Sequence, residues 1–397
     1  MSILKKIALP LLLFALAQTL MGMYRGFYDP SFNNYLSQIH NLDALARGGL
    51  EFTREFPGFL TILIFASLAF LPDTRIAMLA VILVGVSLLG QGHLAPNMKW
   101  VIVWMVAWSA GEHLFLVLKS SVALRMASEN SAGALLGNLG ALESVGNLFG
   151  MICVYLGVSF LKFDFASIFT IAGICAIVAG VLLFIIKPEP LTVSTRSLVF
   201  KKKYIWYYLL NILFGARKQI FLTFAPWILI KLYSSGVSTF ALLGIAGAVT
   251  SMFFRPLLGK AIDKWGENKI IFWESASLIT ICVIYGAAPQ WAPVRLALPI
   301  IMVCYVLDQM LFAVNIARST YLKKIAVSPG DVASTISMGV TLDHAVSMTI
   351  PFFGGLLWVY YGYQWVFWAA AVIALLNLIV SLFMSAKTDQ LFRPRRN

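Results

Sequence analysis

Lys119-Ser120-Ser121-Val122-Ala123-Leu124-Arg125-Met126 and Arg318-Ser319-Thr320-Tyr321-Leu322-Lys323-Lys324-Ile325 stand 199 residues apart in a chain of 397. Each octet closes a long apolar run on basic residues. After a short polar turn the next apolar run begins, with an acid near its middle: Glu143 in Leu142-Glu143-Ser144, and Asp343 in Leu342-Asp343-His344. A second half that repeats the first at half the chain length predicts two related units.

The solvent of those units follows from composition. The chain is 60% apolar and 12% charged, with a mean hydropathy of +0.85, whereas soluble domains carry about 25% charge. Runs of about 20 apolar residues cross a hydrocarbon core roughly 30 Å thick. Twelve are predicted, at 7–36, 46–71, 75–94, 99–126, 131–160, 165–187, 204–233, 238–261, 269–288, 294–322, 331–360 and 364–385. Lipid admits only helices and closed barrels, and runs this long without alternation are helical. The expected fold is therefore an all-α membrane protein of twelve transmembrane helices in two pseudo-symmetric six-helix bundles. The bundles are expected at 1–187 and 204–397, joined by the polar segment 188–203. Prolines inside spans (Pro30, Pro57, Pro226, Pro256, Pro351) are tolerated in a bundle, where neighbouring helices re-satisfy freed backbone groups. Gly133, Gly137, Gly140, Gly146 and Gly150 make span 5 a surface for close helix approach.

A net charge of +13 would suit nucleic acid, but its placement argues for topology. With the amino terminus inside, the outer loops and the span ends that border them hold only Arg47, Lys99, Lys162, Lys231 and Arg295. Lys5, Lys6, Lys201-Lys202-Lys203 and Arg393, Arg395 and Arg396 all lie inside, following the positive-inside rule. The protein is therefore expected in the cell (inner) membrane with both termini cytoplasmic, in contact with the lipid bilayer and with no nucleic-acid partner. Met1 to Ala17 imitates a signal peptide, but its polar continuation favours an uncleaved first helix. Cys153, Cys175, Cys282 and Cys304 lie inside apolar runs without metal or redox spacing.

Between spans 8 and 9 stands Gly259-Lys260-Ala261-Ile262-Asp263-Lys264-Trp265-Gly266-Glu267-Asn268-Lys269. This stretch resembles the loop signature of the major facilitator superfamily. The first-half equivalent, Phe70-Leu71-Pro72-Asp73-Thr74-Arg75, keeps only the Asp and the Arg. The resemblance implies the superfamily fold, with Asp263, Lys264, Gly259 and Gly266 as a gating loop that helps hold one face of the bundle closed. An ordinary solvated turn is the simpler alternative. It further implies that spans 1, 2, 4, 5, 7, 8, 10 and 11 line a central cavity, while 3, 6, 9 and 12 are peripheral.

Ionisable groups in mid-span cost at least ~2.5 kcal/mol at the bilayer centre, and here they come in matched pairs. Aligning Gly22 with Gly215 matches Arg25 to Lys218; Glu112 matches Asp308, Glu143 matches Asp343, and Lys119 matches Arg318. Glu112 and Lys119 lie two turns apart, about 10.5 Å along one stripe. Glu51, Arg54 and Glu55 add charge to span 2, and for these and for an Arg25–Asp29 pair a purely locking role stays open. Arg25 and Lys218, with Arg54, Lys119 and Arg318, are the expected substrate-binding residues for an anion, because a guanidinium grips oxyanions bidentately and lysine acts as a point charge. Paired bases on spans 1 and 7 look like the arrangement in organophosphate antiporters of the superfamily. Arg217, about 100° round the helix from Lys218, is not expected to share its surroundings. A buried carboxylate that changes partner loads and releases a proton, so Asp343, Glu143, Asp308 and Glu112 are expected to couple protons, with His344 and His113 as relay candidates. Tyr24, Tyr28, Trp104, Trp108, Phe221, Trp227, Tyr305 and Trp358 are read as packing residues before pocket residues.

The sequence thus predicts a secondary active transporter, working by alternating access with proton coupling on a small organic anion, as a monomer. Multidrug efflux by proton antiport is the alternative within transport. A polytopic membrane enzyme or a non-transporting receptor is the alternative outside it. No phosphate loop, zinc spacing or nucleophile elbow occurs, so neither enzyme activity nor a cofactor or metal is expected.

Overall fold

The computed structural model describes residues 2–68, 70–126, 132–187, 200–327 and 329–392. Most of the inter-half segment (188–199) and the tail arginines Arg393, Arg395 and Arg396 lie outside the described residues. The described chain is helical, with no strand: α1 (Ser2–Gln38), α2 (Ala44–Phe59), α3 (Thr61–Ser67), α4 (Asp73–His93), α5 (Met98–Met126), α6 (Ala132–Phe160), α7 (Phe165–Ile185), α8 (Ile205–Tyr233), α9 (Val237–Trp265), α10 (Glu267–Trp291), α11 (Val294–Leu311), α12 (Asn315–Ile325), α13 (Pro329–Tyr361) and α14 (Tyr363–Phe392).

Each predicted span is met by helix, and two are interrupted. Span 2 divides at Leu60 into α2 and α3, three residues after Pro57, which cannot donate a backbone hydrogen bond; the Thr61 hydroxyl donates to the Pro57 carbonyl at 3.0 Å. Span 10 divides at a 3-10 turn, Phe312–Val314, into α11 and α12. Among the described residues nine helical segments are long and apolar enough to cross a membrane. Large apolar side chains such as Leu63, Phe70, Phe160, Phe253 and Trp291 are exposed on their outsides. Water would drive such surfaces together, whereas lipid solvates them. The interior is correspondingly polar in places, with Gln18, Asn34, Gln91, Glu112, Arg217 and Arg318 buried.

The helices form two compact units. One comprises Met1–Leu42, Thr53–Thr195 and Ser235–Ile245; the other comprises Asp43–Phe52, Arg196–Ser234 and Ala246–Asn397. The same neighbours recur in each. In the first unit α1 packs on α6 and α7, and α4 packs on α5 and α7. In the second α8 packs on α13 and α14, and α10 packs on α11 and α14. The first ten residues of the span 2 region group with the second unit, and the start of α9 groups with the first.

The α1–α6 seam sets the position of the central charges. A methyl group on Gly22 would fall on the Glu143 carbonyl, one on Gly26 on that of Asn147, one on Gly146 on that of Thr19, and one on Gly150 on that of Met23. Four glycines, two per helix, therefore bring two backbones into direct contact, the close approach that small residues permit. Gly137 and Gly140 face open space, so the seam uses only part of the span 5 glycine series. In the second unit Gly215 stands against Asp343 on the α8–α13 seam.

Gly26→Val is expected to prevent accumulation of folded protein, because the Asn147 backbone cannot withdraw, while Gly137→Ala stays within about 0.5 kcal/mol of the parent; thermal unfolding of purified variants checks both. Asp164, at the start of α7, accepts from the Ser167 amide at 2.8 Å, and hydrogen bonding from the Ser167 hydroxyl and then from that amide holds its carboxyl below the ordinary range. A depressed folded-state pKa contributes stability above the unfolded pKa that is lost as pH falls through the folded one. Asp164→Ala should therefore lower stability by roughly 0.5–2 kcal/mol at neutral pH, with the difference shrinking on acidification below the carboxylate range.

Candidate functional site

Charged side chains in an apolar medium are stable only when compensated, and the two units compensate theirs differently. In the first unit, α1 carries Tyr24 and Arg25 inward against α5 and α6. The Tyr24 hydroxyl donates to Glu112 Oε2. Arg25 Nε donates to Glu112 Oε1 at 2.8 Å and its Nη2 reaches the same oxygen, while Nη1 donates to Glu143 Oε1. Lys119 Nζ grips both oxygens of Glu143, at 3.0 and 2.8 Å. Four of the expected residues thus form one group, with two cations, two carboxylates and a phenol. Arg25 and Glu143 keep 16% and 15% of their side-chain surface open, so the group is reachable rather than sealed. Arg25 turns to Glu112 and Glu143 and not to Asp29, one turn along its own helix.

In the second unit the equivalent positions on α8 are Arg217 and Lys218. Arg217 Nη1 donates to Asp308. Lys218 Nζ donates to both oxygens of Asp343, at 3.0 and 2.7 Å. Lys218 and Asp343 are 18% and 16% open, whereas Arg217 is buried under Phe214, Phe221 and Phe312, whose ring centroids lie 5.7, 5.7 and 4.9 Å from its guanidinium carbon. Adjacent residues therefore meet different surroundings, as the 100° step between them requires. Arg318, the counterpart of Lys119, does not meet Asp343. It donates to Glu274 on α10 at 2.8 Å, with side-chain exposures of 2% and 0%. Arg318 and Asp308 are thus placed in sealed contacts, apart from the open Lys218–Asp343 pair.

The remaining expected residues lie outside these ion pairs. Arg54 bonds Glu55 at 2.9 Å. His113 Nδ1 lies 2.8 Å from the Ser109 carbonyl on its own helix. His344 is half-buried on α13 beside Asp343. Asp263 and Lys264 are exposed at the end of α9, and neither has an ion-pair partner among the described residues. Gly266 sits at φ +83°, a conformation suited to glycine, whereas nothing crowds Gly259. Among the described residues, the ion pairs at this level of the fold are made by the first residues of α4 and α10. Asp73 accepts from Ser121 at 2.6 Å and Arg125 at 2.7 Å; Glu267 accepts from Lys324 at 2.8 Å. Both acids also sit at helix N-termini, where negative charge is favoured.

Three participants escape a search for ionisable residues at mid-span. Tyr24 and Gln219 are neutral; Gln219 Nε2 donates to Glu51, which also binds Arg47. Arg47 falls at the outer end of predicted span 2 rather than at its middle. The signal available in sequence was spacing: Tyr24 and Arg217 both follow the aligned glycines Gly22 and Gly215 by two residues.

Residues 14–323 match the family model described as Major Facilitator Superfamily. Among solved structures, a mutant of the nucleoside transporter NupG superposes with a TM-score of 0.77 at 13% identity, covering 94% of this chain and 99% of that one. An inward-facing, unoccupied bacterial homolog of the human lysosomal transporter Spinster gives 0.71 at 16% identity over 99% of both chains. A D-xylose–proton symporter gives 0.67 at 15% identity, covering 95% of this chain and 97% of that one. A search of curated protein sequences gives no match. At these identities the superpositions speak for the fold, and the family match extends over most of the chain. The protein belongs to the major facilitator superfamily and is a multi-pass membrane transporter.

Proposed function

We propose that the protein moves a small organic anion across the cell membrane by alternating access of its two halves, 1–187 and 204–397, with proton coupling and both termini cytoplasmic. The observation that carries this reading is the Arg25 guanidinium, shared by Glu112 and Glu143 in the middle of α1 and partly open. A buried guanidinium retained by titratable acids is a masked anion site. Protonating an acid frees donor N–H groups for a substrate carboxylate or phosphate. Lys218 on Asp343 repeats the device with a point charge, and Lys119 and Arg54 supplement the first cation. Support for proton coupling comes also from the fold shared with a D-xylose–proton symporter.

The sealed pairs receive a different role. Arg318–Glu274 and Arg217–Asp308 tie α12 to α10 and α8 to α11 inside one unit, and we assign them to holding that unit rigid. The exposed residues Asp263 and Lys264 at the end of α9 remain proposed gating groups, engaged in another state of the cycle. A neutral polar solute is the second reading. It is favoured by ion pairs that leave no bare cation in the group around Arg25, and by the nucleoside and xylose transporters among the structural neighbours.

A thermal-shift screen of the purified chain against lactate, succinate, glucose 6-phosphate, uridine, xylose and tetraphenylphosphonium separates these, since a ligand raises apparent stability by mass action. Stabilisation by the anions is expected; stabilisation by uridine, xylose or the lipophilic cation alone would overturn the anion reading. Arg25→Ala should reduce uptake of the stabilising anion at least about 30-fold, the equivalent of ~2 kcal/mol. By contrast, Arg318→Leu or Glu274→Leu alone should lower stability by about 3–5 kcal/mol, and the double variant should recover most of it without a change in which solutes bind.

A further inference from the structure

Each repeat holds one matched pair of acids, Glu112 and Glu143 in the first and Asp308 and Asp343 in the second, yet their cations are distributed differently, and the difference decides which acid is left bare when a substrate arrives. In the first unit Glu143 has Lys119 on both oxygens besides Arg25. Glu112 has Arg25 and the Tyr24 hydroxyl. Its other charged neighbour is Asp29, of like sign and within electrostatic reach. If the guanidinium turns to an anion, Glu143 keeps a cation and Glu112 keeps one neutral donor and a repelling carboxylate.

In the second unit the same event leaves the other acid exposed. Asp308 holds the buried Arg217, which stands at the position of Tyr24. Among the described residues Asp343 has Lys218 alone for a cation, because Arg318, the counterpart of Lys119, is drawn off to Glu274. Beside Lys218, Asp343 is faced by Tyr207 from α8 and by Ser347 at 3.4 Å on its own helix, with His344 next in sequence. Once Lys218 turns to an anion, Asp343 keeps only the distant hydroxyl.

We infer that Glu112 in the first unit and Asp343 in the second are the proton acceptors, one proton being taken up for each of Arg25 and Lys218 that engages substrate, while Glu143 and Asp308 stay ionised. This inference rests on the anion reading above and assigns its coupling. In each step the ion pair opens, the cation bonds an oxygen of the anion, and the released carboxylate takes a proton from water. Where each cation engages one unit of negative charge, the charge brought by the substrate and the charge of the proton cancel, and the group returns to its original net charge. A carboxylate that has lost its cation in a largely apolar interior takes the proton for the same reason that buried acids do generally.

The test is titration calorimetry on the full chain with lactate and glucose 6-phosphate, in buffers of different ionisation enthalpy, from about pH 6 to about pH 8. Uptake of one proton per cation engaged is expected, with affinity rising about tenfold per proton for each unit that pH falls. Glu112→Gln should abolish the uptake attributable to Arg25, and Asp343→Asn that attributable to Lys218. Glu143→Gln should weaken binding and keep the pH slope. Tyr24→Phe, which removes the last donor from Glu112 and preserves its ion pair, should move the pH-dependent limb to higher pH and covers the case of a Glu112 variant that does not fold. If neither anion binds, the anion reading itself fails. If they bind at constant affinity across the range, or if the slope is lost in Glu143→Gln and kept in Glu112→Gln, the anion reading stands and this assignment is overturned.

Discussion

Ions cannot stand alone in a medium of low dielectric, and the interior of this protein is organised by the ways in which that constraint is met. A guanidinium moved from water into hydrocarbon is several kcal/mol uphill after relaxation, and an opposite charge offsets this only with good geometry and further hydrogen bonds. Arg25 meets the condition with three donor nitrogens on two carboxylates. The glycine seam that brings α6 against α1 exists at the same level, because Glu143 reaches Arg25 only if the two backbones touch.

The second unit meets the same constraint with a different distribution. Where the first has Tyr24, the second has Arg217, and a third acid, Glu274, without a counterpart in the first half, accompanies it. An added cation in the core of a bundle demands an added anion, and the two enter as a set. Sealed and open pairs then divide the work. In the proposed reading, pairs with almost no exposure stiffen a unit, and pairs with about a sixth of their surface open exchange a partner for a ligand.

Much of the architecture was legible in the sequence because apolar run length is a one-dimensional signal that lipid thickness turns directly into helices. The twelve spans, the repeat and the list of mid-span charges all follow from it. Pairing was less legible. Arg25 has Asp29 one turn away, and nothing local indicates that its side chain crosses to two other helices. Arg318 was aligned with Lys119 and so with an acid on the next span, but the arrival of Glu274 from a helix expected to be peripheral redirected it. The interruption of span 10 carries no proline and left no mark in the residues. In the loop between spans 8 and 9 the signature drew attention to Asp263, whereas the ion pair belongs to Glu267, which the next helix presents at its positively polarised end.

The four-glycine seam has a mechanical consequence. Arg25 and Glu143 sit on helices locked together at the main chain, so they travel as passengers on a single rigid strut through any large motion of the protein. No lever action can pry that contact open. Its strength is therefore insulated from the shape of the molecule and answers only to chemistry arriving from the solvent.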